Sequence, residues 1–139
     1  MDRDQVEAKQ MKKLKWTLLK ENFSLHRLEA NAKVPEIVLD SSFFSVTRTS
    51  DELSIVVPEG IMLSGTQKEP GWSCIKMLGP LDFGLTGILS GISKVLAEEG
   101  ISIFAVSTFD TDYILVKQEA CEHAIGALKA AGYEFVESD

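Results

Sequence analysis

The pattern of apolar and polar positions is clearest in the second half of the chain. Residues 72–78 alternate imperfectly, which predicts a strand, and a glycine-rich turn over residues 79–84 follows. Apolar residues then recur at helical spacing from Leu85 to Leu96, and Gly100 stands where a helix stop is expected. The pattern therefore predicts a strand, a turn and a helix with one apolar face.

Two further strands, a second one-sided helix and a last short strand follow in the same half. Their predicted ranges are 101–106 and 113–116 for the two strands, 121–131 for the helix, with Gly132 as its stop, and 133–136 for the last strand. The order β-α-β-β-α-β predicts an α+β, ferredoxin-like unit over residues 72–136. Both helices are apolar on one side, so we expect them on one face of a four-stranded antiparallel sheet.

The first half of the chain is less regular but contains a repeat of the second. Short strands are predicted over residues 16–19, 23–28, 43–47 and 53–57, with a turn at Glu21 and Asn22 between the first two. Pro35 limits residues 30–39 to a short helix at most. Residues 43–59 align without gaps on residues 103–119, an offset of 60, with Phe44 on Phe104 and Val56 on Val116. The repeat predicts two tandem ferredoxin-like units, of which the first is degenerate.

These observations predict a domain organisation in five parts. The parts are an N-terminal extension (1–14), a degenerate unit (15–59), a linker (60–71), a well-defined unit (72–136) and a tail (137–139). The linker is assigned because residues 60–71 have no counterpart in the repeat and are rich in turn-forming residues.

Composition and charge then exclude several classes of protein. The 139 residues include 14 basic and 21 acidic side chains, a net charge of −7, which argues against a protein that binds a nucleic-acid backbone. Cys74 and Cys121 form no metal-binding spacing, and no cofactor motif is present. No apolar stretch is long enough for a membrane span or a signal peptide, so we expect a cytosolic protein. Residues 1–20 are basic, and either contact an anionic partner or form a solvated extension.

The glycine-bearing segment 79–91 is the first candidate for chemistry. It follows a strand and opens a helix, where unpaired backbone N–H groups favour an anion. It has neither a Walker A nor a dinucleotide-binding pattern. Because the segment carries Asp82, a ligand with both a carboxylate and an amine would fit it. Alternatively, Asp82 caps the helix, while Gly87 and Gly91 let the helix approach the sheet.

The second candidate is the connection between the two strands, residues 107–112. It crowds two carboxylates and three hydroxyls between apolar strands, with Asp112 as a candidate counter-charge for a cationic group. Alternatively, these side chains hydrogen-bond their own backbone in a turn. The predicted fold brings this connection to the same sheet end as residues 82–86, which favours a binding site there.

No arrangement of catalytic residues is recognisable. Ser90 is predicted on a helix and lacks the GxSxG pattern of a nucleophile elbow. His26 is expected on a strand surface and His123 on an exposed helix face, neither with a partner for triad or metal chemistry. We therefore expect a protein that is not an enzyme.

Three segments of the second half resemble the ACT domain, a small amino-acid-sensing module. These are residues 81–88 (LDFGLTGI), 101–109 (ISIFAVSTF) and 111–116 (TDYILV). The pattern is similar to that of small bacterial tandem-ACT proteins, CASTOR-type arginine sensors and, more distantly, the regulatory domains of aspartate kinases. The resemblance covers residues 72–136, and the first half resembles the degenerate N-terminal repeat of the bacterial proteins.

The resemblance implies a set of ligand-binding residues. They are Asp82, Phe83, Gly84, Leu85 and Thr86 in the loop before the helix, and Ser107, Thr108, Phe109 and Asp112 around the second strand connection. Asp112 stands where the arginine sensors place an acid against the cationic side chain. The sensors carry a further acid just before the helix, where this chain has Gly84 or Leu85. The implied ligand is therefore an amino acid, without preference for a cationic one.

The expected function is that of a cytosolic regulatory protein that binds a free amino acid at an interface between ACT units. Exposed sheet edges favour a homodimer, and a partner enzyme or regulator would receive the signal. Two alternatives remain: an interaction or structural module without a ligand, and a detached regulatory subunit of an amino-acid biosynthetic enzyme such as aspartate kinase.

Overall fold

The computed structural model describes residues 14–78 and 87–137. The strands are β1 (Lys15–Leu28), β2 (Ser45–Arg48), β3 (Leu53–Pro58), β4 (Gln67–Met77), β5 (Ile103–Ser107), β6 (Asp112–Lys117) and β7 (Glu134–Phe135). The helices are α1 (Glu36–Leu39), α2 (Ile88–Glu98) and α3 (Cys121–Ala130), the last preceded by a 3-10 turn, Gln118–Ala120.

The described residues form two compact units. The middle unit is Glu21–Trp72, and the C-terminal unit combines residues 14–20 with 73–78 and 87–137. The strands β1 and β4 each contribute residues to both units. This division differs from the predicted one, because β4 begins at Gln67, inside the predicted linker 60–71, and residues 15–20 belong with the second half.

The sheet of the C-terminal unit contains one strand more than the sequence predicts. Its strand order is β7-β1-β4-β6-β5, so that β1 lies between β4 and β7. The β5 and β6 strands are antiparallel as expected. The two-residue strand β7 instead runs parallel to β1, with Lys15 opposite Glu134 and Trp16 opposite Phe135. The unit is therefore a ferredoxin-like α+β fold extended by a strand from the beginning of the described chain.

Both long helices of this unit bury one stripe of side chains, as their spacing predicts. The buried residues are Ile88, Ile92 and Leu96 on α2 and Cys121, Ala124 and Leu128 on α3. They pack in one core with Trp16 of β1 and with Ile114 and Val116 of β6. Each large apolar side chain buried in this way stabilises the fold by roughly 1.5–3 kcal/mol.

The predicted helix stops are confirmed by the backbone. Gly100 and Gly132, which follow α2 and α3, have φ values of 71° and 101°. This left-handed conformation is costly for residues with a Cβ, so glycine is favoured there.

The middle unit has a smaller core and only one short helix. One core cluster contains the buried residues Val38, Leu53, Ile55 and Val57, and Phe23, Val56 and Trp72 of this unit are buried as well. The helix α1 begins directly after Pro35 and has four residues, which confirms the prediction of a short helix at most. The predicted turn at Glu21 and Asn22 is wrong, because β1 runs through both residues without interruption.

The two hairpins, one in each unit, have the same turn. In the middle unit Arg48 pairs with Leu53, and in the C-terminal unit Ser107 pairs with Asp112. The amide of Thr49 donates to the Glu52 carbonyl oxygen at 2.9 Å, and that of Thr108 to the Thr111 carbonyl oxygen at 2.8 Å. In both turns the threonine hydroxyl accepts a 3.2 Å hydrogen bond from the amide three residues later.

These matching hydrogen bonds correct the register of the repeat. Ser107 corresponds to Arg48 and Asp112 to Leu53, which is an offset of 59 and not 60. At this offset β3 and β6 have the same burial pattern, residue by residue. The sequence alignment was wrong by one residue because runs of apolar strand residues align almost equally well at neighbouring offsets.

Substitution by alanine should change the free energy of unfolding differently at the two helical glycines of the C-terminal unit. A Cβ at Gly126 of α3 would meet nothing within 4 Å, whereas a Cβ at Gly91 of α2 would lie 2.7 Å from Tyr133 Oη. We expect Gly126→Ala to raise the free energy of unfolding by about 0.5–1 kcal/mol, because alanine is the better helix former. Gly91→Ala should give no gain, as measured by urea denaturation.

The Tyr133→Phe background provides the control for Gly91→Ala. Removing the hydroxyl removes the atom that the new methyl group would meet, so Gly91→Ala should be more favourable there than in the parent chain. Equal effects of the two glycine substitutions in the parent chain would contradict the close packing of α2 against Tyr133.

Candidate functional site

The connection between β5 and β6 is the described part of the predicted ligand site. Antiparallel pairing sets Ser107, the last residue of β5, directly opposite Asp112, the first residue of β6. The Ser107 hydroxyl donates a 2.6 Å hydrogen bond to Asp112 Oδ1. The structure thus brings two of the predicted residues into direct contact.

The side chain of Thr108 stabilises the turn through hydrogen bonds to the backbone. Its hydroxyl donates to the Thr111 carbonyl oxygen at 3.1 Å and accepts from the Thr111 amide at 3.2 Å. The equivalent Thr49 has the same role in the middle unit. The alternative prediction of local turn chemistry is therefore confirmed for Thr108.

Thr111 anchors the connection to the neighbouring strand, a role that the sequence analysis missed. Its side chain is 5% exposed, and its hydroxyl donates a 2.8 Å hydrogen bond to the carbonyl oxygen of Met77, the last residue of β4. Because β4 leads into residues 79–86, this bond holds the turn beside the point where that segment begins. The only signal of this role in the sequence was a threonine directly followed by an aspartate, just before a predicted strand.

Asp112 is a buried carboxylate in a core position. It is 7% exposed, and it corresponds to Leu53, which is fully buried in the apolar core of the middle unit. Burial of a carboxylate costs free energy unless hydrogen bonds or an opposite charge compensate it. Ser107 supplies one such bond, to Oδ1.

The tip of the connection is exposed to solvent. Phe109 is 81% exposed, and Asp110 beside it is exposed as well. An aromatic ring at this exposure presents a large apolar surface close to a buried carboxylate. The described part of the site therefore combines a charge, a hydroxyl and an aromatic side chain.

The other five predicted site residues lie outside the described residues. They are Asp82, Phe83, Gly84, Leu85 and Thr86, in the segment between β4 and α2. Their part in the site stays a prediction. Gly91, which is described, was predicted to allow a close approach of the helix. A Cβ at this position would lie only 2.7 Å from Tyr133 Oη, so the helix does pack closely there.

Neither cysteine forms a disulfide, and burial makes Cys74 a poor nucleophile. Cys74 and Cys121 are free and buried. Burial raises the pKa of the Cys74 thiol to about 12, although the charge of Lys76 opposes the shift. Such a thiol stays protonated at neutral pH and is a poor nucleophile. Within residues 14–78 and 87–137, no group of three His, Cys, Asp or Glu side chains could hold a metal ion.

The burial of one of the two histidines differs from expectation. His123 is exposed, as predicted, but its Nε2 lies 3.0 Å from Glu99 Oε2. His26 was expected on a strand surface, which is wrong, because only 3% of it is exposed. It faces the core side of β1 in the middle unit, and its Nδ1 lies 2.8 Å from Thr66 Oγ1. Its Nε2 has no hydrogen-bond partner among the described residues.

The comparison with known families decides the identity of the C-terminal unit. The family model of the ACT domain matches residues 67–130. The chain contains an ACT domain. A second family model, which describes an N-terminal domain, matches residues 21–62, all of them in the middle unit. ACT domains form a family of regulatory domains, and the matched range includes the whole β5–β6 connection.

Two relatives, one a solved structure and one a curated protein, are at least 30% identical to this chain. The protein Atu0741 from Agobacterium tumefaciens is 36% identical, with a TM-score of 0.83 over 91% of this chain and 94% of that one. CASTOR3P from Homo sapiens is 30% identical over 87 residues, 53% of each protein, so the match spans about half the length of this curated relative.

A more distant solved structure shares the fold of the ACT protein. The ligand-free regulatory subunit of aspartate kinase from Thermus thermophilus has a TM-score of 0.62 at 12% identity, over 84% of this chain and 95% of that one. At such low identity the likeness is one of fold.

Among the described residues, no helix has the length and apolar character needed to cross a bilayer.

The buried His26 of the ACT protein should make its stability depend on pH. Burial, and secondarily the charge of Lys68, lower the pKa of His26 below its usual value of 6.5. The unfolded chain therefore takes up a proton that the folded chain resists. We expect the free energy of unfolding to fall as the pH is lowered through about 6.5, by at most about 1.4 kcal/mol per pH unit.

The variants His26→Asn and His123→Asn separate this effect from other titrations. His26→Asn can keep a hydrogen bond to Thr66 but has no proton to gain, so the fall between pH 7.5 and 5.5 should be shallower. His123→Asn retains His26 and should keep the contribution of His26. Urea denaturation at several pH values measures both, and an unchanged slope in His26→Asn would exclude the proposed cause.

Proposed function

We propose that this ACT protein binds a free amino acid at the β5–β6 connection and reports its presence to a partner protein. One observation carries the proposal: Asp112 places a buried carboxylate at the position that leucine, Leu53, occupies in the equivalent hairpin. Buried charged groups of this kind cluster at functional sites, because they cost stability where folding alone would favour an apolar residue.

The chemistry of the described residues fits an amino acid. The carboxylate of Asp112 would pair with the ammonium group or with a cationic side chain, while Ser107 holds Oδ1 in place. The exposed ring of Phe109 would cover an apolar part of the ligand. The ligand carboxylate would bind to the backbone of residues 82–86, as the resemblance implies. An interface between ACT units as the location, and a homodimer, remain part of the proposal.

Thermal melting against the twenty amino acids tests the proposal directly. A ligand present at 100 times its Kd adds about 2.7 kcal/mol to the stability of the folded state, which raises Tm by several degrees for a chain of this size. We expect at least one amino acid to produce such a shift. A flat response to all twenty at millimolar concentration would contradict amino-acid binding and favour a structural module without a ligand.

Asp112→Asn and Asp110→Asn form a matched pair for locating the site. Asn at position 112 has nearly the same size and can still accept the Ser107 hydrogen bond, but it lacks the charge. We expect this variant to lose most of the ligand-induced shift. Asp110 is exposed and two residues away, so Asp110→Asn should retain the shift. The same shift in both variants would place the ligand elsewhere.

A detached regulatory subunit is the second candidate function. The regulatory subunit of aspartate kinase from Thermus thermophilus resembles this chain over 95% of its own length, which favours a separate regulatory chain of similar size. If the ACT protein has this role, tagged protein should co-purify with a larger catalytic chain, and the amino acid found by melting should change the activity of that chain. Purification with no partner, with and without that amino acid, would contradict this role.

A further inference from the structure

A concave site lies in the C-terminal unit, away from the β5–β6 connection. This cleft has a volume of about 450 Å³ and is bounded by β1, α3 and β7; we call it the α3–β7 cleft. In the strand order β7-β1-β4-β6-β5, it lies on the opposite side of β4 from Asp112. Its volume is within the range of small-molecule sites, about 300–1,000 Å³.

The cleft exists because the helices cover only part of β1. Alternate residues of a strand point to the same face, so Leu18 and Lys20 continue the face of Trp16. Trp16 is fully buried in the core beneath the helices, whereas Leu18 is 38% exposed. Beyond Trp16 the strand therefore forms an open floor, beside Ile125 of α3 and Phe135 of β7.

The floor of the cleft is held by hydrogen bonds between β1 and the chain after β7. The hydroxyl of Thr17 donates to the Val136 carbonyl oxygen at 2.7 Å, and the Val136 amide donates to the Trp16 carbonyl oxygen at 2.9 Å. These bonds connect residues 119 and 120 positions apart and fix the two strands next to each other. A ligand would thus enter a formed site and would not have to order it.

The charges at the cleft favour an anionic group. Lys20 of β1 and Lys129 of α3 both line it, and Glu137 lines it from the chain after β7. Two ammonium groups against one carboxylate, in a protein with a net charge of −7, make the cleft a local exception to the overall charge. Leu18, Ile125 and Phe135 line the same cleft with apolar surface.

We propose that the α3–β7 cleft binds a small aliphatic monocarboxylate. Lys20 and Lys129 hold the carboxylate, and the aliphatic tail covers Leu18, Ile125 and Phe135. The carboxylate of Glu137 can pair with an additional ammonium group of the ligand. The ligand class therefore includes both the free acid and the amino acid with the same tail. The site is separate from Asp112, whose negative charge requires a cationic group of its ligand.

Three probes with similar branched tails test the charge requirement by isothermal titration calorimetry. They are 4-methylpentanoate, which has only the carboxylate, 3-methylbutylamine, which has only the amine, and leucine, which has both. We expect the carboxylate probe to bind and the amine probe to bind at least tenfold more weakly. Tighter binding of leucine than of 4-methylpentanoate would identify an amino acid as the ligand, and the reverse order an acid without an amine.

The titrations are repeated with variants that locate the binding site. Lys129→Gln removes one cation and Leu18→Thr removes part of the apolar floor, and each should weaken binding of 4-methylpentanoate at least fivefold. Lys94→Gln, on α2 and outside the cleft, should leave the affinity unchanged. Circular dichroism establishes that each variant is folded, which is expected because the substituted side chains are exposed.

Two outcomes would overturn the proposal: binding of neither carboxylate probe at 10 mM, or equal affinity of the parent chain and Lys129→Gln for 4-methylpentanoate. Asp112→Asn distinguishes this proposal from the function proposed above. It should keep the affinity for 4-methylpentanoate even where it loses the amino-acid response at the β5–β6 connection. Loss of both responses in Asp112→Asn would mean that the carboxylate binds at the β5–β6 connection and not in the cleft.

Discussion

The insertion of β1 between β4 and β7 is the constraint on which the C-terminal unit depends. Trp16 is fully buried among the apolar residues of α2, α3 and β6, and an aromatic side chain buries roughly 150–250 Å². The helices of the ACT domain thus pack on a core that includes a residue from well before its matched range, 67–130. The same strand supplies the partner of β7 and the floor of the α3–β7 cleft.

Local signals explain how much of the fold the sequence predicts. The stripes of α2 and α3, their glycine stops and the β5–β6 hairpin depend on residues a few positions apart, and all of them are confirmed. The pairing of β1 with β7 connects residues 119 positions apart, such as Thr17 and Val136, and no local pattern encodes it. Since β7 has only two residues, its alternation carries no information about its partner.

In the candidate site, too, the sequence predicts the residues that local signals identify and misses those that depend on long-range contacts. Ser107 and Asp112 follow from the polar composition of a turn between apolar strands, and the structure places them in contact. Thr111 could not be assigned, because its role depends on the carbonyl oxygen of Met77, 34 residues earlier. The burial of His26 was missed for a related reason, since a histidine at an alternating position of a strand is compatible with either face of the sheet.

The comparison of the two hairpins argues for function at Asp112 without reference to any relative. Their turns share the same threonine hydrogen bonds, and β3 and β6 share one burial pattern, so the backbone imposes the same demands on both. In the middle unit the closing pair serves the fold: Leu53 joins the core, and Arg48 donates to the carbonyl oxygens of Ala30 and Ala32.

In the C-terminal unit the same two positions hold Ser107 and Asp112, a hydroxyl and a carboxylate. This pair gives up roughly 1.5–3 kcal/mol of apolar burial, the contribution that Leu53 makes in the middle unit. The 2.6 Å hydrogen bond from the Ser107 hydroxyl to Oδ1 is of a kind that contributes about 1.5–3 kcal/mol, which is similar to the apolar burial that is lost. The polar pair therefore gives the fold no advantage over the pair in the middle unit, and the charge of Asp112 is the feature that the proposed cationic group of a ligand would use.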